Sequence, residues 1–284
     1  MKLITFIYNG KEHVGVIGKD GNVTALGYSS FNGMLEDSGW RVAAQRASES
    51  VGTIPFEAIK LLAPIPVLKQ DMICLGINYM EHAEESARYK KEAFGGERTY
   101  AVYFSKRVNR AVEDGGYIES HWELVDRLDY ECELAVVLGK DCKNVTKEEA
   151  REYILGYTIV NDVSAREVQT RHKQWYFGKS MDGFTPMGPW IVTADEFAFP
   201  PKLSIQSYVN GELRQDSNTS ELIFGIDHVI CELSAGMTLK AGTVIATGTP
   251  AGAGMGFDPP RFLKKGDVVT CKIEGIGTLT NTVK

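Results

Sequence analysis

Glu131 and Glu133 form a closely spaced acidic pair that could bind a metal ion. The pair flanks Cys132 at the start of the apolar run Leu134–Leu138, and an extended strand places residues two apart on one face. Adjacent carboxylates repel each other unless a proton or a cation lies between them. Mg²⁺ or Mn²⁺ suits such an all-oxygen site, whereas a solvated strand face is the alternative that the spacing alone leaves open.

A third carboxylate, Asp162, follows a second apolar run, residues 156–160, just before a predicted short helix. Its place at a strand end suits a ligand-binding side chain. The same residues also allow a helix cap formed by Asn161, Asp162 or Ser164, or a surface ion pair between Asp162 and Arg166. The local pattern therefore leaves the role of Asp162 open.

His82 and Glu85 are three residues apart at the start of a predicted helix, which places them on one helical face. A carboxylate beside an imidazole fixes the orientation of the ring and increases its basicity, as the activation of water requires. An exposed helix with ordinary surface charges is the alternative. No His-Glu-x-x-His zinc motif is found in the sequence.

Two glycine-containing segments offer further candidates. Gly178-Lys179-Ser180 resembles part of a phosphate-binding loop, but Lys173 stands where that loop requires glycine. Lys179 remains a candidate for binding a carboxylate or an enolate oxygen. Residues 248–256, here called the glycine-rich loop, follow an apolar run and could contact a ligand through the backbone and the Thr249 hydroxyl.

Short strands must position these side chains. The dipeptides Asn9-Gly10, Asp20-Gly21 and Asn210-Gly211 indicate tight hairpins. The predicted strands after residue 70 are Met72–Gly76, Val102–Ser105, Leu134–Leu138, Tyr157–Val160, Trp190–Thr193, Leu203–Val209, Val244–Thr247, Val268–Ile273 and Thr278–Val283. The predicted helices in this part are Tyr79–Lys91, Thr146–Ile154, Ala165–His172 and Thr219–Leu233. Many strands and few helices, without regular β-α alternation, predict an α+β fold that is mostly β.

The chain is predicted to have two domains. Residues 1–69 form a small hairpin-rich N-terminal domain, followed by a catalytic domain over residues 70–284. The boundary lies after the proline-containing run Leu61–Leu68, which reads as an extended linker.

Composition excludes several classes of protein. The 284 residues carry a net charge of −6, which disfavours binding to nucleic acid or to an anionic membrane. The five cysteines are an odd number without a Cys-x-x-Cys pair, so neither a disulfide framework nor a thiolate zinc site is expected. The sequence shows no signal peptide and no apolar run of about 18 residues. We expect a cytoplasmic protein.

The order of the motifs along the chain is more specific than any one of them. The segments that begin at Gly76, Asp129, Asn161, Gly178 and Gly242 read G-x-N-Y-x-x-H-x-x-E, D-Y-E-x-E-L-A-V-V, N-D-V-S-A-R-E-x-Q, G-K-S-x-D and G-T-x-I-A-T-G-T-P-x-G. This series resembles the fumarylacetoacetate hydrolase family, including its acylpyruvate hydrolases and 2-hydroxyhepta-2,4-diene-1,7-dioate isomerases. The resemblance covers residues 70–284.

The resemblance implies a catalytic domain built as a mixed β-sandwich or β-roll, usually in a homodimer. It assigns Mg²⁺ or Mn²⁺ to Glu131, Glu133 and Asp162, and water activation to His82 with Glu85. Lys179 is implied as catalytic and the substrate-binding residues as Arg166, Gln169 and Thr249. Some relatives carry arginine where this chain has Ile77, which leaves the contact to the far end of the substrate open.

The implied reaction is cleavage of the C3–C4 bond of a 2,4-dioxo acid, of acylpyruvate or fumarylpyruvate type, through a metal-bound pyruvate enolate. The substrate is thus a small anionic 2-oxo acid. Decarboxylation of oxaloacetate, or isomerisation or decarboxylation of an unsaturated 2-oxo diacid, would use the same chemistry and stays open. Residues 86–100 fit either a lid over the ligand or a solvated loop.

Overall fold

The computed structural model describes residues 1–91, 93, 96 and 99–284. The strands are β1 (Lys2–Tyr8), β2 (Lys11–Ile17), β3 (Val23–Tyr28), β4 (Lys60–Leu61), β5 (Met72–Gly76), β6 (Val102–Lys106), β7 (Tyr117–Ile118), β8 (Leu128–Asp129), β9 (Cys132–Leu138), β10 (Ile154–Asn161), β11 (Ser164–Ala165), β12 (Met187–Thr193), β13 (Ser204–Val209), β14 (Glu212–Asn218), β15 (Val244–Ala246), β16 (Val268–Ile273) and β17 (Gly277–Val283). The helices are α1 (Phe31–Glu36), α2 (Trp40–Ser48), α3 (Met80–Lys90), α4 (Arg166–Arg171), α5 (Tyr176–Lys179) and α6 (Ile226–Gly236). The α+β, mostly β prediction is confirmed.

Across the described residues, a large mixed sheet has the strand order β3-β2-β1-β12-β10-β9-β15-β5-β6, with β4 paired to β1. Its central strands β9 and β10 are buried along their whole length, which their continuous apolar runs explain. They pair antiparallel with Val160 opposite Glu133 and Asn161 opposite Cys132. This register brings the segment that carries Asp162 beside the start of β9.

A second sheet has the order β14-β13-β16-β17-β7 and packs its apolar side chains into the core that β9 and β10 share. The β13–β14 hairpin turns at Asn210 and Gly211, whose φ angles are 52° and 80°. Asn9 and Gly10 at the β1–β2 turn likewise have φ angles of 49° and 73°. These are the left-handed conformations that such turns require, so both hairpin predictions are confirmed.

The predicted strands after residue 70 all form, and their bounds differ from the prediction by a few residues at most. Two helix predictions were wrong in part. Residues Ala150–Tyr153 form a single 3₁₀ turn, although Thr146 and Glu149 make the contacts of a helix cap. The helix does not continue because the backbone from Ile154 onward pairs in β10. The helix predicted from Thr219 instead begins at Ile226, after a separate 3₁₀ turn.

Residues 1–69 are hydrogen-bonded to the rest of the chain through β1, which pairs with β12 at Lys2 opposite Val192. The separate N-terminal domain stays a prediction. No helix in the described parts of the chain is long and apolar enough to cross a membrane.

Candidate functional site

Three carboxylates meet where β9 begins and β10 ends. Glu131, Glu133 and Asp162 each offer an oxygen, and these oxygens lie within 4.8 Å of one another. Glu131 and Glu133 project to the same side of the chain because only Cys132 lies between them. Asp162 is held beside them because its backbone N–H donates to the carbonyl of Glu131 at 2.8 Å. The structure therefore brings together the three residues that the sequence singled out as metal ligands.

Asp162 does not cap the helix that follows it. The residue at the N-terminus of α4 is Ala165, and no side chain caps it. Arg166 does not pair with Asp162 either: its Nη2 lies 2.8 Å from Asp129 Oδ2 and 2.7 Å from Glu131 Oε1. Arg166 is only 4% exposed, so the surface ion pair considered from the sequence is wrong.

Lys179 lies between two of the three carboxylates. Its Nζ is 2.6 Å from Glu131 Oε2 and 2.6 Å from Asp162 Oδ2. Burial alone would raise the pKa of Glu131, but Lys179 and Arg166 together hold it well below its usual range. Burial likewise opposes the charge on Lys179, yet Asp162 and Glu131 raise the pKa of its ammonium. Both groups are ionised at neutral pH.

Lys106 is a buried cation that the sequence reasoning missed. It is fully buried at the end of β6, and its Nζ donates to Asp162 Oδ1 at 2.5 Å and to the carbonyl of Val163 at 3.2 Å. Burial lowers its pKa, and Asp162 opposes that effect. A single lysine at the end of a strand carries no recognisable spacing, so only the sheet order could reveal this contact.

Glu133 differs from its neighbours because it has no ion-pair partner among the described residues. It is 1% exposed, and its Oε2 accepts a hydrogen bond from the N–H of Gly248 at 2.8 Å. Burial, followed by the charges of Asp162 and Glu131, raises its pKa well above the usual range. A divalent cation bound among the three carboxylates would supply the missing positive charge. The donor set of three buried carboxylates thus fits Mg²⁺ or Mn²⁺.

The predicted dyad lies on α3. His82 Nδ1 is 3.4 Å from Glu85 Oε2, and His82 is 4% exposed. Glu85 is fixed from its other side, because the N–H of Gly252 in the glycine-rich loop donates to both of its oxygens at 3.0 and 3.1 Å. The imidazole is therefore oriented by a carboxylate whose own position the glycine-rich loop sets.

His82 of the dyad and Glu131 and Glu133 of the triad face one cavity. Glu85 and Asp162 do not line it but contact His82 and Lys179, which do. Residues lining this cavity include His82, Glu131, Glu133, Arg166, Gln169, Lys179 and Thr249. The apolar residues that line it include Ile77, Phe104 and Trp175. Trp175 packs so closely on Gly76 that a built Cβ there would lie 2.2 Å from the ring.

The two remaining predicted substrate-binding residues make contacts within the protein. Gln169 Oε1 accepts a hydrogen bond from Arg166 Nη1 at 3.2 Å. The Thr249 hydroxyl donates to the carbonyl of Cys132 at 2.9 Å and accepts from Gln215 Nε2 at 2.7 Å. Both side chains line the cavity while also supporting its walls, and their contact with substrate stays a prediction.

The possible lid, residues 86–100, is described only in part. Residues up to Lys90 belong to α3, and Lys90 also lines the cavity. The predicted segment includes Glu92, Phe94, Gly95, Glu97 and Arg98, which lie outside the described residues.

Comparison with known proteins gives the site its context. A family model described as "Fumarylacetoacetate (FAA) hydrolase C-terminal" matches residues 71–284. Oxaloacetate tautomerase YisK of Bacillus subtilis (strain 168) is 44% identical over 242 residues, which are 84% of this chain and 79% of that protein.

Solved structures resemble the whole chain. A fumarylacetoacetate hydrolase from the psychrophile Exiguobacterium antarcticum has a TM-score of 0.82 and 38% identity, covering 100% of this chain and 99% of that one. A maleylpyruvate hydrolase from a Sphingobium species, solved with manganese(II) and pyruvate, has a TM-score of 0.78 and 28% identity, covering 100% and 98%. The similarity therefore extends over the N-terminal residues as well as the matched family region.

Proposed function

The chain belongs to the fumarylacetoacetate hydrolase family of enzymes, and we propose that it is a divalent-metal-dependent enzyme that acts on a short 2-oxo acid through its enolate. The observation that carries this proposal is a single cavity lined by His82 of the dyad and by Glu131 and Glu133 of the carboxylate triad. The carboxylates suit a metal ion with a chelated anion, and the dyad offers a general base.

The charges of the site support an anionic substrate. When bound, Mg²⁺ or Mn²⁺ supplies Lewis-acid stabilisation of negative charge on the carboxylate and keto oxygens of the 2-oxo acid. Glu131, Glu133 and Asp162 would hold the ion. Lys179 has three N–H donors, two of which Glu131 and Asp162 use, so the third is available to an enolate oxygen. A maleylpyruvate hydrolase of the same fold was solved with manganese(II) and pyruvate, which supports this choice of ion and ligand class.

Hydrolysis of a 2,4-dioxo acid is the reaction that the dyad favours. His82, oriented by Glu85, takes a proton from water as the oxygen attacks the C4 carbonyl. The C3–C4 bond then breaks, its electron pair becomes the pyruvate enolate, and the other product is a carboxylic acid. The proton held by the imidazole returns to C3 of the enolate, so the enzyme regains its starting state.

A second candidate is supported by the 44% identity to the Bacillus oxaloacetate tautomerase. The same imidazole could move a proton between C3 and the keto oxygen of oxaloacetate without any attack by water. Decarboxylation of oxaloacetate would use the same enolate after loss of carbon dioxide. These reactions differ in what leaves C3 rather than in the groups that stabilise the enolate.

A substrate panel separates these candidates. Purified protein is freed of metal with EDTA, supplied with Mn²⁺ or Mg²⁺, and assayed with acetylpyruvate, fumarylpyruvate and oxaloacetate. Ultraviolet absorbance reports the loss or the tautomerisation of the enol form, and a coupled assay reports pyruvate. Formation of pyruvate and acetate from acetylpyruvate, lost in His82→Gln, supports the hydrolase. Turnover of oxaloacetate alone would contradict the hydrolase and support the second candidate.

Full activity of the metal-free protein toward these substrates would overturn the proposed metal-dependent function, whichever of the three is turned over. Leu213→Ala is a matched control for purification and folding, because Leu213 is 46% exposed and lies on β14 among residues that do not line the cavity. It should retain the activity of the unmodified protein.

A further inference from the structure

We infer that Asp129 is a positioning residue that ties the water-activating dyad to the carboxylate triad through the glycine-rich loop. The inference rests on the proposed role of His82 and Glu85, and it holds for whichever reaction they perform. Asp129 is the fourth carboxylate at this site, lies at the end of β8, and is 0% exposed. It is absent from the set of carboxylate oxygens that lie close enough together to share an ion.

Both oxygens of Asp129 accept hydrogen bonds from the glycine-rich loop. Gly254 N–H donates to Oδ1 at 2.7 Å, and Met255 N–H donates to Oδ2 at 3.0 Å. The loop approaches so closely that a Cβ built on Gly254 would lie 2.6 Å from Asp129 Oδ1. A glycine is needed at this point, and the position of the carboxylate sets the position of the loop.

The same loop holds the dyad. Gly252 N–H donates to both oxygens of Glu85, and a Cβ built on Gly256 would lie 2.4 Å from the Glu85 carboxyl carbon. Arg88 on α3 also donates to the carbonyl of Gly256 at 3.1 Å. A shift of the loop away from Asp129 would therefore move Glu85, and with it the ring of His82.

The other side of Asp129 is connected to the triad. Arg166 Nε donates to Asp129 Oδ2 at 2.8 Å, and the Nη2 of the same guanidinium lies 2.7 Å from Glu131 Oε1. One buried carboxylate is thus bonded both to the arginine that contacts the triad and to the loop that contacts the dyad. Every group facing Asp129 in these contacts is a donor.

This arrangement makes the isosteric change Asp129→Asn informative. Oδ1 faces the N–H groups of Gly254 and Tyr130, while Oδ2 faces Met255 and Arg166. An asparagine has only one acceptor oxygen, so its NH₂ group must face donors on one of the two sides. The loop loses one hydrogen bond in either orientation, and the guanidinium also loses its partner when the NH₂ group replaces Oδ2. The variant therefore weakens the connection without changing the side-chain volume appreciably.

A double-mutant cycle with Glu85 tests the connection. We expect Asp129→Asn to lower kcat about 100-fold, because the base is displaced, and to change the Mn²⁺ dissociation constant by less than about threefold. If Asp129 acts through Glu85, the double variant Asp129→Asn/Glu85→Gln will be within about threefold of Glu85→Gln alone. Losses that multiply would overturn the inference, as would full activity in Asp129→Asn.

Hydrogen–deuterium exchange gives a readout that needs no substrate. In metal-free protein, Asp129→Asn should increase exchange in peptides that cover residues 252–256 and also in α3, while α6 stays unchanged. Faster exchange in the loop with an unchanged α3 would contradict the connection. If the unmodified protein turns over none of the three substrates, the proposed function fails while this measurement still decides the role of Asp129.

Gly254→Ala in the glycine-rich loop is a second test, which can be used if Asp129→Asn does not fold. Gly254→Ala keeps the charge of Asp129 but forces a methyl group against Oδ1 and the carbonyl of Arg261, which is 2.5 Å from the built Cβ. It should increase exchange in the same two regions and lower kcat. Gly236→Ala is the matched control, because nothing lies within 4 Å of a Cβ at that position in α6. Equal effects of Gly254→Ala and Gly236→Ala would refute the connection.

Discussion

Neutralising Glu133 and neutralising Glu131 are expected to change the stability of the metal-free protein in opposite directions. Both residues are buried glutamates of the same triad, so Glu133→Gln and Glu131→Gln are matched isosteric changes. Glu131 is bonded to Lys179 at 2.6 Å and to Arg166 at 2.7 Å. Glu133 has no ion pair among the described residues and faces two other carboxylates. The protein therefore stabilises the negative charge of Glu131 and destabilises that of Glu133.

The size of each effect follows from these contacts. Removing one partner of a buried ion pair costs about 3–5 kcal/mol, the expected loss for Glu131→Gln. Removing an uncompensated buried charge should gain about 1–3 kcal/mol for Glu133→Gln, whose side-chain oxygen can still accept from Gly248. With roughly 2.1 cal/mol/K per residue, a 284-residue chain has an unfolding entropy of about 0.6 kcal/mol/K. The expected changes in Tm are therefore a fall of about 5–8 °C and a rise of about 2–5 °C.

The pH dependence has opposite signs as well. The folded-state pKa of Glu133 is raised, so its favourable contribution is complete below the ordinary glutamate value of 4.5 and is lost as the pH rises toward the folded-state pKa. The folded-state pKa of Glu131 is lowered, so its contribution is present above 4.5 and is lost as the pH falls toward the folded-state pKa. The gain in Glu133→Gln should thus grow toward neutral pH, and the deficit in Glu131→Gln should shrink in acid.

Differential scanning calorimetry in EDTA from pH 4 to pH 8 measures both effects in metal-free protein. The same measurement is then repeated in the presence of Mn²⁺. At a Mn²⁺ concentration of about 100 times its dissociation constant, binding stabilises the unmodified protein by about 2.7 kcal/mol. Each variant lacks a ligand and should gain less from Mn²⁺, so the advantage of Glu133→Gln over the unmodified protein should shrink and the deficit of Glu131→Gln should grow. A loss of stability in metal-free Glu133→Gln comparable to that in Glu131→Gln would refute the reasoning.

Three further outcomes are expected. EDTA should abolish turnover, and Mn²⁺ or Mg²⁺ should restore it, which an activity titration checks; activity that does not return would contradict a reversible metal requirement. Gly76→Ala should displace the Trp175 ring, whose nearest atom is 2.2 Å from the built Cβ, and raise KM by about tenfold or more in steady-state kinetics; an unchanged KM would show that this wall does not contact substrate. Asn78→Ala should lower the free energy of unfolding by about 2–3 kcal/mol in urea titrations, because Asn78 donates to Thr247 and Phe224 and accepts from Phe224; a change below about 0.5 kcal/mol would contradict this.

Local sequence patterns predicted much of the fold. Alternating or continuous apolar runs predicted β5 and β16 with their bounds, and asparagine-glycine pairs predicted two hairpin turns. These signals work because a strand or a tight turn depends mainly on residues close together in the chain. Helix bounds were predicted less well. The helical pattern of residues 146–154 runs up to Ile154, but the backbone there pairs in β10.

Local spacing also predicted which candidate side chains lie together. The Glu-x-Glu spacing set Glu131 and Glu133 on one side of the chain, and the helical spacing set His82 beside Glu85. Whether Asp162 joined the two glutamates or capped a helix could not be decided locally, because both roles suit a carboxylate at a strand end.

The compensation of the buried charges depends on long-range packing that no local pattern predicts. The register of β9 against β10 places Asp162 beside Glu131, and the sheet order brings Lys106 to Asp162 from a strand far away in the sequence. The same long-range packing leaves Glu133 without a cation among the described residues and makes Asp129 a link between the dyad and the triad. Electrostatic energies in a buried site depend on distances of a few ångströms between residues remote in sequence. Those distances are properties of the folded chain and not of any local segment.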